Sequence, residues 1–505
     1  MSTLVKNIVR KKNNAAIQGY RRGETLLVSF GISLFLLSGC AVGPDFVRPE
    51  APKGTRYTHD GDPKEIATVD GLPQHFENGA GPAANWWHSF NSTQLNAAVS
   101  AGLADNPGLQ AAEASLRQSQ ENLRAGSGIF YPQISASFAE VRERNSPSTI
   151  GSSLPASIFN LTTLSSSVSY ALDIFGGQRR AVEGLAAQVD RQRALTLGTY
   201  MMLTGNIVNT TIAIAAYHAQ LDESLQMIAL EKDQISIAEK QYQAGITTYG
   251  ALLALRLQLK ALEATLPPLS QKLSKAEHLL ATLEGKTPAE FQPPALLLKD
   301  ISLPRQLPLS LPSELVRQRP DILAAEAQLH AASAGIGVAT AALFPSITLN
   351  ASYGQASQTT GNLLNSTSNL WSLGGNVTAP LFKGGTLRAQ RRAAIDAYQQ
   401  SFASYKQTVL AAFAEVASIL RALEHDAELL QTEAAAVNDA RIAMNLLKAN
   451  YQAGTANYLQ VMVTDIQYSR AKISYLQAEA QQLQDTTALF VAMGGKWTNG
   501  SLSLK

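Results

Sequence analysis

Side chains capable of metal or covalent chemistry are few and widely separated in this chain of 505 residues. There is a single cysteine, Cys40, and no histidine stands at metal-ligand spacing from it or from another histidine. The pattern therefore predicts no zinc site. The seven histidines are His59, His75, His88, His218, His278, His330 and His425.

Catalytic motifs are equally hard to find. Gly285-Lys286-Thr287 matches the end of a phosphate loop, but the first glycine of that motif would fall at Leu280, within a helical repeat. No Gly-x-Ser-x-Gly elbow occurs. Carboxylates such as Asp426, Glu428 and Glu433 are expected to be solvated or to line a pore. We therefore expect no enzyme activity and no cofactor.

Cys40 stands where an export signal would end. Six basic residues and the apolar run "TLLVSFGISLFLL" precede it, and that run is short for a membrane span but suits a signal peptide over residues 1–39. Leu37-Ser38-Gly39-Cys40 resembles a bacterial lipobox, which implies cleavage before Cys40, a diacylglycerol on its sulfur and an N-acyl chain such as palmitate. Several acyl chains give stable membrane attachment. Ala41, in place of aspartate, favours the outer membrane, whereas the alternative is a buried structural cysteine after an uncleaved anchor.

The chain beyond residue 39 is nearly neutral. Residues 1–39 contain six of the 41 lysines and arginines and one of the 39 acidic residues, which leaves 35 basic and 38 acidic residues. This balance predicts no nucleic-acid partner. A lone cysteine also excludes an intrachain disulfide.

An internal duplication organises the chain, because five motifs recur in the same order about 210 residues apart. Among them are Gly176-Gly177 with Gly384-Gly385, and the sequence Tyr-Gln-Ala-Gly, which ends at Gly245 and again at Gly454. The predicted parts are a signal peptide (1–39), an extended segment (40–85), repeat 1 (86–285), a proline-rich linker (286–312), repeat 2 (313–498) and a tail (499–505).

Each repeat contains a helix, two strands and then long helices. The strands are predicted near 130–142, 162–175, 344–356 and 370–382, where apolar and small polar residues alternate. Such alternation is typical of a transmembrane β-barrel, and a half-buried soluble sheet is the alternative. Heptad seams, one from Leu252 to Leu283 and one from Phe413 to Val437, predict packed long helices. Pro267-Pro268 should interrupt the first of these helices near Leu266.

Four strands cannot close a barrel, and an open sheet edge would leave backbone groups unpaired in lipid. The chain is therefore expected to oligomerise, and three copies would supply twelve strands.

The lipobox followed by Gly43-Pro44-Asp45-Phe46, the string "LPSELVRQRPDILAAEAQL" and the terminal Met493-Gly494-Gly495-Lys496-Trp497 together resemble one family. This family is that of the outer membrane factors, the TolC-like exit ducts of efflux pumps and type I secretion systems. The motifs resemble its lipidated multidrug-efflux (NodT) branch. The resemblance implies an α+β membrane protein, a homotrimer. Its twelve-stranded outer-membrane β-barrel would be continuous with a twelve-helix periplasmic α-barrel.

The resemblance also implies partners and sites. The helix turns at the two Tyr-Gln-Ala-Gly copies would be tips that contact a periplasmic adaptor, itself bound to an inner-membrane pump; a helix cap without a partner is the alternative. Relatives often carry a gate aspartate where this chain has Val463, so Tyr458, Gln460 or Val463 would form the gate. The tip residues are Gly245, Ile246, Thr247, Gly454, Thr455 and Ala456.

We therefore predict a passive exit duct for small molecules, such as drugs or other toxic compounds, in the outer membrane of a Gram-negative bacterium. The duct would contact outer-membrane lipid and bind no metal. The alternatives are the duct of a type I protein secretion system, a non-conducting coiled-coil envelope lipoprotein and a lipid-anchored periplasmic hydrolase. The strands argue against a tether, and the absence of a catalytic motif argues against a hydrolase.

Overall fold

A computed structural model describes residues 41–69, 71–145 and 155–495, which form two compact units. The first unit is drawn from Met1–Val47, Ser119–Val189 and Gln328–Phe402, and the second from Arg48–Gln118, Asp190–Ala327 and Ala403–Lys505. The predicted signal peptide, Cys40 and the predicted tail at 499–505 lie outside the described residues.

The described residues form seven strands and nine α-helices. The strands are β1 (Glu65–Ile66), β2 (Gln74–Asn78), β3 (Gln133–Asn145), β4 (Ser157–Leu172), β5 (Gln306–Leu309), β6 (Ser346–Ser357) and β7 (Asn369–Thr378). The helices are α1 (Thr93–Asp105), α2 (Pro107–Ser127), α3 (Gly177–Gln243), α4 (Tyr249–Glu263), α5 (Leu266–Leu283), α6 (Pro312–Leu315), α7 (Pro320–Ala341), α8 (Thr386–Gln452) and α9 (Tyr458–Ala492).

The first unit is built around an antiparallel sheet in the order β3-β4-β6-β7. Its register places Leu172, Ile347 and Val377 in one row across three strands, which marks one end of the sheet. Alternation then puts apolar residues on one face and small polar residues on the other. Among the described residues of this single chain, the outer edges of β3 and β7 have no strand partner.

The predicted strands all exist, with shifted ends. Strand β4 begins at Ser157, earlier than predicted, and β7 ends at Thr378, before the predicted residue 382. Pro380 explains the early end of β7, because proline lacks the N–H that a ladder requires.

The second unit is held by an apolar core between long helices and the chain around Trp86. Trp86 stacks on Phe490 with ring centroids 5.2 Å apart, and Phe90 is completely buried beside them. Along α8, buried side chains recur at the predicted spacing of three and four residues, from Val416 to Leu430. The heptad seam of the second repeat is therefore confirmed over this stretch.

The predicted connecting segments also contain paired strands. Residues 40–85 and 286–312 were expected to be extended connectors, but β1, β2 and β5 within them form a three-stranded sheet. Strand β2 pairs in parallel with β5, with His75 opposite Gln306 and Asn78 opposite Leu309. The buried side chain of Gln74 also donates to the Pro304 carbonyl at 2.5 Å. These strands have only two to five residues, too few for an alternating pattern to predict them, and β5 also contains Pro308.

The expected interruption at Pro267-Pro268 is confirmed. Helix α4 ends at Glu263 and α5 begins at Leu266, which places the prolines in the first turn of a new helix. Proline is tolerated there because the first N–H groups of a helix have no partner within the helix.

By length and composition, α7 is the single described helix that could cross a membrane, and half of its most apolar stretch is buried within the protein. Core helices of soluble proteins share these properties, so no helical span is inferred.

Candidate functional site

The first Tyr-Gln-Ala-Gly copy ends α3 and turns the chain into α4. Gly245 has φ of +73°, and the N–H of Ile246 donates to the Gln241 carbonyl at 2.8 Å. This is the glycine-dependent bond pattern that closes a helix end. The Thr248 side chain then accepts from the Ala251 N–H and caps α4. Ile246 lies at the crest of the turn with 74% of its surface exposed.

The second copy builds the same turn between α8 and α9 with more polar contacts. Gly454 has φ of +75°, and both the N–H and the Oγ1 of Thr455 donate to the Asn450 carbonyl. Asn457 and Gln460 form a reciprocal capping box at the start of α9. The two turns therefore share a backbone path but present different side chains.

An aromatic pair encloses each turn. Tyr242 and Tyr249 have ring centroids 5.5 Å apart, and Tyr451 and Tyr458 have centroids 5.4 Å apart. In both turns the second tyrosine follows the first by seven residues, and this repeat is visible in the sequence. The pairing explains why the duplicated motif begins with tyrosine, which the sequence analysis did not recognise.

The structure places the predicted site residues in these turns. Gly245, Ile246, Gly454 and Thr455 are exposed, and Thr247 and Ala456 are half-buried. The crests of both turns are therefore accessible, and the role of these residues in binding an adaptor stays a prediction.

The three gate candidates differ in their surroundings. Tyr458 packs on Tyr451, and Gln460 accepts from the Asn457 N–H, so both contribute to the turn itself. Val463 is exposed. Asp465, two residues further on, is buried and forms an ion pair with Lys448 at 3.0 Å. A gating role for the three candidates remains a prediction.

The segment just after Cys40 is held against α3 and α7. The Val42 N–H donates to the Phe175 carbonyl at 3.0 Å, and the Phe46 ring stacks on His330 at 4.3 Å. Gly43 has φ of +97°, and a Cβ added there would lie 2.5 Å from the Cα of Gly337. Any larger residue at position 43 would therefore push the segment away.

Arg180 on α3 binds two carboxylates, one of which, Asp45, belongs to this segment. Its side chain is 6% exposed and donates to Asp45 at 2.6 Å and to Glu183 at 2.7 Å, and His330 also contacts Glu183 at 2.9 Å. Burial opposes ionisation of Glu183, but the hydrogen bonds from Arg180 and His330 outweigh it and hold its pKa below the ordinary value. Asp45 and Phe46 belong to the motif singled out in the sequence, although their partners could not be inferred from it.

Asp426 on α8 is not a freely solvated carboxylate. Burial, together with the hydrogen bond and the charge of Asp485 on α9, raises the pKa of Asp426 to about 7. The Gln481 side chain donates a hydrogen bond to Oδ2 of Asp485. Ionisation of Asp426 is disfavoured because its carboxyl group lies beside a second one in a partly buried place.

Replacement of Asp426 by asparagine should stabilise the protein more at pH 8 than at pH 5. The folded chain keeps a proton that the unfolded chain loses from pH 3.8 upward, so the free energy of unfolding falls as the pH rises to about 7. The thermal unfolding temperature at both pH values measures this. Asp439→Asn, at an exposed position of the same helix, is the control. An equal shift at both pH values for Asp426→Asn would contradict the prediction.

Among the described residues, no cluster of histidine, aspartate and glutamate could hold a metal ion. The first unit contains a clamped N-terminal segment and a two-faced sheet, and the second unit contains the helix turns. Comparison with protein families gives a match to the family described as outer membrane efflux protein, over residues 98–286 and 311–495. The chain belongs to this family.

Individual relatives agree with this assignment. The outer membrane efflux protein described here is 30% identical to a pyoverdine export outer membrane protein, OpmQ, of Pseudomonas putida, covering 82% of this chain and 89% of the relative. It is 26% identical to the cation efflux system protein CusC of Escherichia coli, and the match covers 93% of this chain and 98% of the relative. The solved outer-membrane channel OprN matches 91% of this chain and all of that chain, with a TM-score of 0.79 and 25% identity.

The family assignment confirms several predictions. This outer membrane efflux protein is a channel component of an efflux system in the outer membrane of a Gram-negative bacterium. Its mixed helix-and-strand fold is that of TolC-like channels. The family is one of channel proteins rather than enzymes.

Proposed function

We propose that three copies of this chain form one passive exit duct, in which twelve strands close a β-barrel in the outer membrane. The observation that carries the proposal is the sheet of the first unit, whose edge strands β3 and β7 both lack a partner within the described part of the chain. Lipid offers no hydrogen bonds to such edges, so each edge must pair with another strand. Pairing β7 of one copy with β3 of the next removes every edge.

The two faces of the sheet support this arrangement. Leu373 is 78% exposed, and Trp371 and Val377 share its face, which is the pattern of a lipid-facing surface. On the opposite face, Ser135 pairs with Ser167 and Ser352 with Ser372, each with Oγ atoms 2.8 Å apart. These neutral hydroxyl groups would line a water-filled lumen that selects weakly among solutes.

The helices of the three copies would form a periplasmic α-barrel of twelve helices. Its six turns, at Gly245 and Gly454 of each copy, would contact a periplasmic adaptor bound to an inner-membrane pump. Turns with exposed crests and glycine-closed backbones suit such contacts. Energy would come from the pump.

Lipidation of Cys40 is a further part of the proposal. The next residue, Ala41, packs against Gly176, where β4 passes into α3 at one end of the sheet. Acyl chains on Cys40 would therefore begin close to the membrane boundary. Pyoverdine and cations are the cargoes named for two relatives, which favours small solutes over proteins as cargo.

Leu373→Arg and Ser372→Arg test the barrel as a matched pair. These neighbours lie on opposite faces of β7. Arginine on a lipid face costs about 2–4 kcal/mol near the membrane midplane, whereas a lumen position is solvated. We expect Leu373→Arg to lose assembled trimer, seen by native mass, and single-channel conductance in planar bilayers. Ser372→Arg should keep the trimer with altered conductance; equal tolerance of both, or a monomeric wild type, would refute the barrel.

A further inference from the structure

The two copies of the strand-to-helix junction differ sharply in charge. Aligning Gly176-Gly177 with Gly384-Gly385 gives an offset of 208 residues, which matches Arg180 to Arg388. At the same offset, Leu381 stands in the position of Asp173, and Arg391 stands in the position of Glu183. The second junction thus keeps the arginine and loses both carboxylates.

In the first junction every cation is neutralised. Arg179 pairs with Asp173 at 3.3 Å, and Arg180 pairs with Asp45 and Glu183. The charges of its two arginines and of the two acids at positions 173 and 183 therefore cancel.

In the second junction four cations occur within ten residues and are all exposed. No carboxylate of the described residues lies within ion-pair distance of any of them, and Asp396 is the nearest acidic residue along the chain. We call them the basic cluster: Lys383, Arg388, Arg391 and Arg392.

The basic cluster follows directly on an exposed apolar pair. Leu381 is 95% exposed and Phe382 is 89% exposed, and both come just after β7 ends at Thr378. The row Leu172, Ile347 and Val377 puts this end of β7 at the same end of the sheet as Gly176 and Ala41. Apolar side chains followed at once by long cationic ones fit a membrane boundary, where cations reach headgroups and apolar groups enter the acyl layer.

We infer that the basic cluster binds the phosphate-bearing headgroups of anionic phospholipids in the periplasmic leaflet, with Leu381 and Phe382 in the acyl layer beneath them. This inference rests on the proposed barrel, which sets the membrane level. It adds a lipid site where β7 leads into α8, at the same end of the sheet as the acyl chains proposed for Cys40.

Charge complementarity favours lipid over a second copy of this chain. A second copy would need several unpaired carboxylates at this end of the sheet. Asp396 supplies one beside the basic cluster on α8, but four other described acids there already have arginine partners in ion pairs. They are Asp45 and Glu183 with Arg180, Glu121 with Arg124, and Asp173 with Arg179.

The test compares lipid binding to two quadruple variants of the full mature protein. One carries Lys383→Gln, Arg388→Gln, Arg391→Gln and Arg392→Gln, and the control removes four exposed lysines elsewhere, Lys240, Lys272, Lys275 and Lys299. Native mass spectrometry in detergent counts bound phosphatidylglycerol and phosphatidylethanolamine. We expect wild type and control to prefer phosphatidylglycerol by about tenfold, and the cluster variant to lose this preference.

Further outcomes separate this inference from the barrel itself. A charge-keeping variant, Arg388→Lys with Arg391→Lys and Arg392→Lys, should retain the preference. An unchanged headgroup preference in the glutamine variant overturns the lipid site. Dissociation of the glutamine variant into monomers also overturns it, because the cations would then bind a second copy of the chain. Wild-type protein that conducts in planar bilayers but shows no headgroup preference overturns only the lipid site and leaves the channel standing.

Discussion

Ile246→Asp should abolish efflux in cells while the protein still folds and assembles. Ile246 is the most exposed apolar residue of the first helix turn, and the proposed adaptor contact would bury it. Burying an unpaired carboxylate in an interface costs several kcal/mol, enough to weaken binding by more than about a hundredfold. In a deletion strain complemented with the variant, we expect susceptibility to exported compounds to equal that of the deletion strain.

The control for this prediction is Leu364→Asp, at an equally exposed leucine in the loop between β6 and β7. It adds the same charge to an apolar surface position outside the helix turns, so efflux should persist. Native mass should show the same trimer for both variants. Full complementation by Ile246→Asp would mean that the first turn contacts no adaptor through its crest.

Gly285→Val should destabilise the protein more than any other substitution considered. Gly285 closes α5 with φ of +72°, and a Cβ added there would collide with the backbone carbonyl oxygen of Asp105. A β-branched residue is strained at this φ, and the carbonyl cannot rotate away because it is backbone. We expect a loss of about 3 kcal/mol or more in the free energy of unfolding. A markedly lower thermal unfolding temperature in detergent would show it.

Gly335→Ala in α7 provides the matched control. An added Cβ at Gly335 meets no atom within 4 Å, and alanine is favoured over glycine inside a helix by roughly 0.5–1 kcal/mol. Its unfolding temperature should therefore stay the same or rise. If Gly285→Val unfolded at the wild-type temperature, the close approach to Asp105 would not exist in solution.

The same reasoning explains a duplicated feature. Gly494 stands in the second repeat where Gly285 stands in the first, and it has φ of +69° next to the Gln318 carbonyl. Both repeats thus end their last long helix on a glycine that allows backbone to approach backbone. The sequence shows the glycines, but it does not show which carbonyl each one meets.

Regular elements were predictable because their signals are local. Alternation between neighbouring residues predicted all four strands of the larger sheet, and spacing of three and four predicted the packed faces of α4, α5 and α8. The tyrosine–glycine turns were predictable for the same reason, since glycine with positive φ ends a helix within one turn.

Contacts between distant segments were not predictable from one sequence. The pairing of β2 with β5 joins residues about 230 positions apart, and the Asp45–Arg180 ion pair spans 135 positions. Neither contact leaves a periodic pattern, because each depends on which surfaces the folded helices bring together. The same holds for Asp426, whose carboxyl looks like any helix-surface acid until Asp485 lies beside it.

The sequence by itself determined the duplication, the strand and long-helix content, the two helix turns and the family. Repetition and periodicity carry that information, because they reflect backbone geometry over a few residues. Only the tertiary structure decided which charges are neutralised. Arg180 and Arg388 occupy matched positions, yet one is buried between two carboxylates and the other is exposed without an ion-pair partner among the described residues. The fate of a charge depends on neighbours that folding brings from far along the chain, and local sequence does not specify them.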